Sequence, residues 1–361
     1  MRWGGGLHKS KNLFEQIVSL ENLLFAWQEF RRGKRKKPDV AEFEMNLEGN
    51  LLGLHQKLKD GSFKPLPYFS FYISDPKLRH IHKACVTDRV AYQAVFRVLY
   101  PIFDRGFIYD AYSSRTNKGT HRAVKRLEGF CRKLSKNYRR NIFILKCDIL
   151  NFFNSINHQI LKSLIAKKVN DRKVLNLLDL IIDSFSKDPG EGLPLGNVTS
   201  QLFANIYLNE LDNFAKHSLK IKNYIRYTDD FVIISESRKY LESLIPQIAD
   251  FLFDSLQLRL HPKKIILKKL SQGADFLGYV VLPHYVVIRT KTKRRMLRKL
   301  FEKQALLKQG LLDRKHFNQS LQSYLGILRH CNGYDLSQSL KSIFLDLDSA
   351  CLPARQRSSL E

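Results

Sequence analysis

Apolar residues recur along this chain at two different spacings, and the changes between them mark out its elements. Leu13, Phe14, Ile17, Leu20 and Leu24 fall three and four residues apart, which predicts an amphipathic helix from Leu13 to about Phe30. A second helix is predicted from about Asp39 to Leu58, closing at Asp60-Gly61, a helix C-cap signal. Tyr68 to Ile73 is aromatic and β-rich, Asp75-Pro76 turns the chain, and Lys77-Leu-Arg-His-Ile-His82 completes a hairpin with Lys77 and Arg79 at its tip. Thr87-Asp88-Arg89 opens a helix through Tyr100 with Val90, Ala94, Val95 and Val98 on one face. Ser113 to Thr120 is a polar, Gly-containing loop leading into a basic helix from about Thr120. Backbone N–H groups at such a helix start favour phosphate.

The pattern then changes. Ile142, Phe143, Ile144 and Leu145 form a continuous apolar run, as in a strand buried on both faces, and the run ends in Asp148. Asn151-Phe-Phe-Asn-Ser155 follows, then a helix from about His158. Gly192-Leu-Pro-Leu-Gly196 leads into a helix from about Thr199 that buries Phe203, Tyr207, Leu211 and Phe214, with Thr199 or Ser200 as its cap. Ile225 to Ile234 reads as a hairpin, two apolar runs around Asp229-Asp230. A helix is predicted from about Arg238 to Leu256, and Ala274 to Tyr279 starts a hairpin that turns at Pro283-His284. After Ile288 the composition shifts: Lys291 to Arg298 is densely basic, and Phe317, Leu321, Tyr324, Leu325 and Leu328 mark one face of a small helical domain. No internal repeat is visible, and the tail from Ala354 to Glu361 is polar.

Charge narrows the possible partners. The 361 residues include 61 Lys plus Arg against 34 Asp plus Glu, a formal charge of +27, while 44% hydrophobic content supports a real core. That combination points to a polyanion, nucleic acid first and an anionic membrane surface second. No apolar run approaches the ~18 residues that span a bilayer, so no membrane is expected. Met1 to His8 has no apolar h-region and is not a secretory signal. The five cysteines lack paired spacing, as in the reduced thiols of a cytosolic protein. His80, His82 and Cys85 have no second half at ligand spacing, so no zinc site is expected.

The candidate chemistry rests on carboxylates. Asp229 and Asp230 repel each other, and burying them unpaired is costly or raises their pKa. A divalent cation removes that cost, and hard oxygen ligands suit Mg²⁺; the same pair also reads as a solvated turn. A carboxylate where a buried strand runs out, as at Asp148, is a poor structural choice and a good catalytic one. If Asp148 and Asp229 lie on neighbouring strands, they can clamp two Mg²⁺ ions ~4 Å apart for an in-line phosphoryl displacement. With the charge, nucleotidyl transfer on nucleic acid becomes the leading chemistry. Lys77 and Arg79 are either ordinary exposed cations or the point charge and bidentate fork that hold a triphosphate.

In chain order, Asp148-x4-Phe153, Gly192-Leu-Pro-Leu-Gly-x3-Ser-Gln201, Tyr227-Thr-Asp-Asp230, Leu260-His-Pro-Lys-Lys264 and Phe276-Leu-Gly-Tyr279 resemble the successive motifs of reverse transcriptases, over about Pro67 to Tyr334. The Leu195-Gly-x3-Ser-Gln201 form looks like the enzymes of diversity-generating retroelements; most other reverse transcriptases have Gln at the Leu195 position and Pro at the Gln201 position. The resemblance implies an α+β right-hand polymerase: a basic helical extension over 1–60, fingers and palm with an antiparallel sheet over 61–285, a helical thumb over 286–345 and a flexible tail over 346–361. It implies that Asp148, Asp229 and Asp230 hold two Mg²⁺ ions, with Mn²⁺ as a substitute. Lys264, or Lys263 in its place, would protonate pyrophosphate. Lys77, Arg79, Phe153, Leu195 and Gln201 would bind the dNTP, Phe153 as the gate against a ribose 2′-OH; as a neighbour of Phe152 it also reads as a core aromatic. Leu277, Gly278 and Tyr279 would grip the primer.

The implied partners are an RNA template, a DNA or RNA primer, dNTPs and a basic accessory variability protein, in a bacterial or phage-encoded cytoplasmic enzyme. Thr228 is a less usual occupant of its position than Val, Ala or Met. Leu195, lacking an amide, is expected to relax fidelity, as adenine-directed mutagenic copying needs. No maturase, endonuclease or integrase extension follows the thumb, so mobility by an own nuclease is not expected. The alternatives are a retron or phage-defence reverse transcriptase and a catalytically inactive RNA-binding scaffold.

Overall fold

The computed structural model describes residues 12–75 and 78–350, with side chains through 343. Lys77, the Met1–His8 segment, Cys351 and the tail beyond 350 lie outside the described residues. In chain order the elements are α1 (Leu13–Val18), α2 (Leu20–Phe30), α3 (Pro38–Met45), α4 (Leu47–Lys59), β1 (Phe69–Ile73), β2 (Arg79–Lys83), α5 (Val86–Asp104), α6 (Thr120–Leu134) and β3 (Phe143–Asp148). Then come α7 (His158–Ala166), α8 (Arg172–Asp183), α9 (Val198–Asn213), β4 (Tyr224–Tyr227), β5 (Asp230–Ser235), α10 (Arg238–Leu256) and β6 (Ile266–Lys269). The last are β7 (Ala274–Phe276), β8 (Tyr279–Leu282), β9 (Tyr285–Ile288), α11 (Thr290–Lys308), α12 (Arg314–Leu328) and α13 (Tyr334–Ala350).

The first two predicted helices are each broken in two. At Ser19 the backbone leaves the helical region and the side chain caps α2 by accepting from the Asn22 N–H; at Asn46 the backbone also leaves the helical region, between α3 and α4, without a side-chain cap bond. Small polar residues satisfy orphan N–H groups at the cost of helix continuity, which apolar spacing cannot report. The helix predicted from Thr87 begins at Val86, with the Cys85 sulfur accepting from Asp88, and runs through Pro101 to Asp104. The expected cap of α9 is corrected: Asn197 occupies the N-cap position, without a side-chain cap bond, while Thr199 and Ser200 are buried inside the first turn. Phe214 falls in the turn beyond α9 and stacks on Phe251 at 4.1 Å.

The chain forms two compact units. The first comprises residues 1–118, 146–232 and 243–265. In it α2 and α9 both pack on α5. Helix α9 buries residues on every side, among them Phe203, Tyr207 and Leu211, as a helix inside a core must. The antiparallel β1–β2 hairpin pairs Phe69 with Lys83 and Ile73 with Arg79.

The second unit comprises residues 119–145, 233–242 and 266–361. Its antiparallel sheet runs β7-β8-β9, one turn more than the single hairpin expected. Leu277 and Gly278 form the additional turn with φ 51 and 89, the left-handed pair that a tight two-residue hairpin loop requires. Met296 and Leu300 of α11 pack with Phe317, Leu321, Leu325 and Leu328 of α12 and Leu340 of α13. A four-stranded sheet in the order β4-β5-β3-β6 contains the two strands, β3 and β5, within which the chain passes from one unit to the other.

Candidate active site

Strand order brings distant carboxylates together. β3 lies beside β5, so the end of the first, Asp148, meets the start of the second, Asp230. The turn between β4 and β5 is Thr228-Asp229, and the Asp229 carbonyl accepts from the Ile149 N–H at 3.3 Å. Residues two apart on a strand share a face. Lys146 therefore sits on the same side of β3 as Asp148, and its Nζ lies 3.6 Å from an Asp230 oxygen. Beyond β3, the Asp148 carbonyl accepts from the His261 N–H at 2.8 Å. His261 Nδ1 caps the short turn Pro262–Lys264, which delivers Lys264 Nζ to 2.7 Å from Asp148 Oδ1. Lys263 is exposed.

Burial, followed by the charge of Asp148, pushes the Asp229 carboxyl up from 3.8 to about 6. Asp230 is also raised, again by burial first, with Lys146 opposing. The donor set is hard and anionic, which suits Mg²⁺. As it stands, two of its carboxylates are held by lysines, and among the described residues no three His, Cys, Asp or Glu side chains form a ready metal cage.

A raised carboxyl favours the folded state only while protonated, so its ionised form opposes folding as pH rises from 3.8 towards 6. Asp229→Asn is expected to be the more stable protein at pH 7.5, by up to about 3 kcal/mol. The difference should vanish by pH 4. Denaturant titrations in chelator at both pH values measure it; equal stabilities at pH 7.5 would contradict the burial argument.

The turn rests on a buried network that sequence reading missed. Arg226, in β4, is 1% exposed and forms a two-pronged pair with Asp212 of α9, itself 0% exposed, at 2.7 and 2.6 Å. The Tyr224 hydroxyl donates to the same carboxylate at 2.9 Å, and Arg226 also donates to the Thr228 carbonyl at 3.2 Å. Thr228 has φ 53, an uncommon conformation for a β-branched residue. Its hydroxyl donates to Ser113 Oγ at 2.6 Å, and the Ser113 carbonyl accepts from Asn205. A hydroxyl, not only an apolar side chain, therefore serves at this position. The available signals were charged residues inside apolar stretches at Asp212 and Arg226.

The remaining sequence-selected residues are distributed as follows. Phe152 is buried and Phe153 half-buried; the Phe153 carbonyl accepts from the Leu193 N–H at 2.7 Å, tying it to the Gly192–Gly196 loop. The Leu195 carbonyl accepts from the His82 N–H at 3.3 Å, and Leu195 is half-buried. Gly196 has φ 118, which a side chain would strain. Gln201 is exposed on the first turn of α9, and Arg79 is exposed on β2. Leu277, Gly278 and Tyr279 belong to the second unit, where the Tyr279 hydroxyl donates to the Ile327 carbonyl and meets His121 Nδ1, both at 3.1 Å.

Mixed helix and sheet with antiparallel hairpins, and carboxylates gathered at adjoining strand ends, fit the fold of a right-hand polymerase. The profile of the reverse transcriptase (RNA-dependent DNA polymerase) family matches residues 74–281, more than half of the chain. The chain belongs to that family. It is 26% identical over 266 residues to protein YkfC of Escherichia coli (strain K12), covering 63% of this chain and 69% of that one. It is 24% identical over 295 residues to the group II intron-encoded protein LtrA of Lactococcus lactis subsp. cremoris, covering 62% of this chain and 48% of LtrA. It thus spans about half the length of LtrA. Telomerase from Candida albicans, solved with a fragment of telomeric RNA, shares the fold with a TM-score of 0.50 at 11% identity, over 75% of this chain and 56% of that one. Among the described residues, no helix is long and apolar enough to cross a membrane.

Proposed function

We propose that the protein copies an RNA template into DNA by nucleotidyl transfer, and that it serves a diversity-generating retroelement with relaxed fidelity. The observation that carries the first part is the convergence of Asp148, Asp229 and Asp230 beside Lys264 in a chain of the reverse transcriptase family. Two Mg²⁺ ions, when bound, supply Lewis-acid stabilisation of the attacking and leaving oxygens. Asp148 and Asp229 would hold them, with Asp230 as the third carboxylate. Lys264 stands 2.7 Å from Asp148, placed to hand a proton to the departing pyrophosphate. Lys146 beside Asp230 tempers the negative charge of the cluster. Residues 61–285 serve as fingers and palm, 286–345 as thumb, and Leu277 to Tyr279 grip the primer. The test is primer extension on a heteropolymeric RNA with Mg²⁺ and all four dNTPs, with products sequenced. No extension, with candidate partner proteins added, would favour an RNA-binding scaffold.

The subclass reading rests on Leu195 and Gln201. Leu195 is apolar and half-buried in a loop joined by its backbone to the β1–β2 hairpin. Without an amide to test the base pair, fidelity should be relaxed, and in the diversity-generating reading the errors concentrate opposite template adenine. Leu195→Gln is expected to lower those errors several-fold, and an unchanged error spectrum would sink the idea. Faithful copying by the natural protein would move it to a retron or defence role. Phe153, rather than the buried Phe152, is the gate against ribose. Phe153→Val should raise ribonucleotide incorporation by about 10- to 200-fold, the range expected for one steric contact. Unaltered ribonucleotide use would remove Phe153 from that role.

A further inference from the structure

The last turn of α6 and the segment that joins it to β3 carry charge for which the polymerase reading has no use. Arg132, Lys133, Lys136, Arg139 and Arg140 are all exposed, and no carboxylate occurs between Glu128 and Asp148. Arg140 lies 3.7 Å from Glu236, with both side chains about half exposed. Among the described residues, Arg132, Lys133, Lys136 and Arg139 form no ion pair.

A solvated charge run usually lies in a loosely held loop, but this loop is pinned. Lys136, Asn137 and Tyr138 have φ of 50, 57 and 65, three successive left-handed residues. The Asn137 N–H donates to the Arg132 carbonyl at 2.8 Å and the Arg140 N–H to the Ser135 carbonyl at 2.9 Å. The Tyr138 N–H donates to the hydroxyl of buried Ser135 at 2.8 Å. The Tyr138 ring then packs on His284, 4.6 Å between centroids, at the turn of the β8–β9 hairpin. His284 is exposed there beside Tyr285, which is 44% exposed. Exposed cations on a pinned backbone and flat rings thus occupy one edge of the second unit.

We propose that this edge binds a folded RNA: Lys133, Lys136, Arg139 and Arg140 contact its phosphates, and His284 and Tyr285 stack on unpaired bases. Charge complementarity selects a polyanion, and the two exposed rings offer faces on which unpaired bases stack. The choice of RNA rests on the reverse transcriptase reading; the binding itself does not require catalysis.

The test uses the full chain and a hairpin RNA with an unpaired loop, titrated at several salt concentrations, beside vesicles containing phosphatidylserine. The variant carrying Lys133→Gln, Lys136→Gln, Arg139→Gln and Arg140→Gln should bind the RNA roughly 100-fold more weakly at 0.15 M salt, with the salt slope reduced by about 3 to 4. Extension of a pre-annealed primer–template at saturating concentration should be retained. A second variant, His284→Ala with Tyr285→Ala, keeps the cations. It should weaken binding about 10-fold and leave the salt slope alone, and it decides the matter if the first variant does not fold. Unchanged affinity and slope would overturn the proposal. So would loss of vesicle binding with RNA binding intact, or an equal loss of extension on the pre-annealed duplex. Failure of the polymerase reading would leave these binding results standing.

Discussion

Primer extension by Asp229→Ala is expected to fall at least about 1,000-fold, because one carboxylate of the metal-binding set is worth several kcal/mol of transition-state stabilisation. The loss should fall on the rate at saturating dNTP, since the chemistry, not nucleotide capture, depends on this side chain. Burial and the neighbouring Asp148 hold the Asp229 carboxyl up at about 6 in the metal-free protein. Truncation therefore removes a charge that opposes folding. The variant should unfold no more easily than the natural chain in chelator, which separates lost catalysis from lost structure. Conversely, Mg²⁺ should raise the melting temperature of the natural protein at pH 8 more than at pH 5, where protons compete for the carboxylate. The variant should show little of this rise. Undiminished extension by Asp229→Ala would remove the proposed chemistry from this cluster altogether.

The second large effect concerns stability. Asp212→Ala should destabilise the fold by about 3–5 kcal/mol, the cost of leaving a buried guanidinium without its counter-ion. Arg226 is fully enclosed; burial is the largest single influence and would lower its pKa, yet Asp212, with Tyr224 and Asp229 behind it, raises it on balance. Removing the carboxylate reverses that balance and also leaves the Tyr224 hydroxyl unpaired. Replacing both partners, Asp212→Leu with Arg226→Met, should recover much of the loss, because no charge is then stranded. Chemical denaturation of the two variants and the natural chain measures the coupling. Equal destabilisation by single and double variants would show that the pair adds nothing beyond its volume. Arg226 also donates to the Thr228 carbonyl, so the single variant should impair extension even where it remains folded.

Much of the site was legible because its chemistry is local. The adjacent Asp229 and Asp230, the strand ending in Asp148 and the turn carrying Lys264 each have a composition that ordinary packing does not explain. The pairing of β1 with β2 was likewise readable from the aromatic run that ends at Ile73. Helix interruptions at Ser19 and Asn46 were not, since apolar spacing continues across a change of backbone conformation that only Ser19 caps with its side chain. The additional turn at Leu277-Gly278 was hidden inside a segment of uniform strand character. Lys146 was passed over as one more cation in a basic chain. Its meaning depends on sharing a face with Asp148 across from Asp230.

The sequence by itself determined most of the elements, though not their breaks, together with the basic character and the residue types able to gather a divalent cation, because periodicity and side-chain chemistry are properties of short stretches. Only the tertiary structure decided that β3 lies beside β5, that Lys264 rather than Lys263 meets Asp148, and that Arg226 and Asp212 lock together beneath the turn. Those outcomes depend on strand order and on which polar groups lose water together. Both are set by contacts between residues far apart in the chain, where no local pattern can record them.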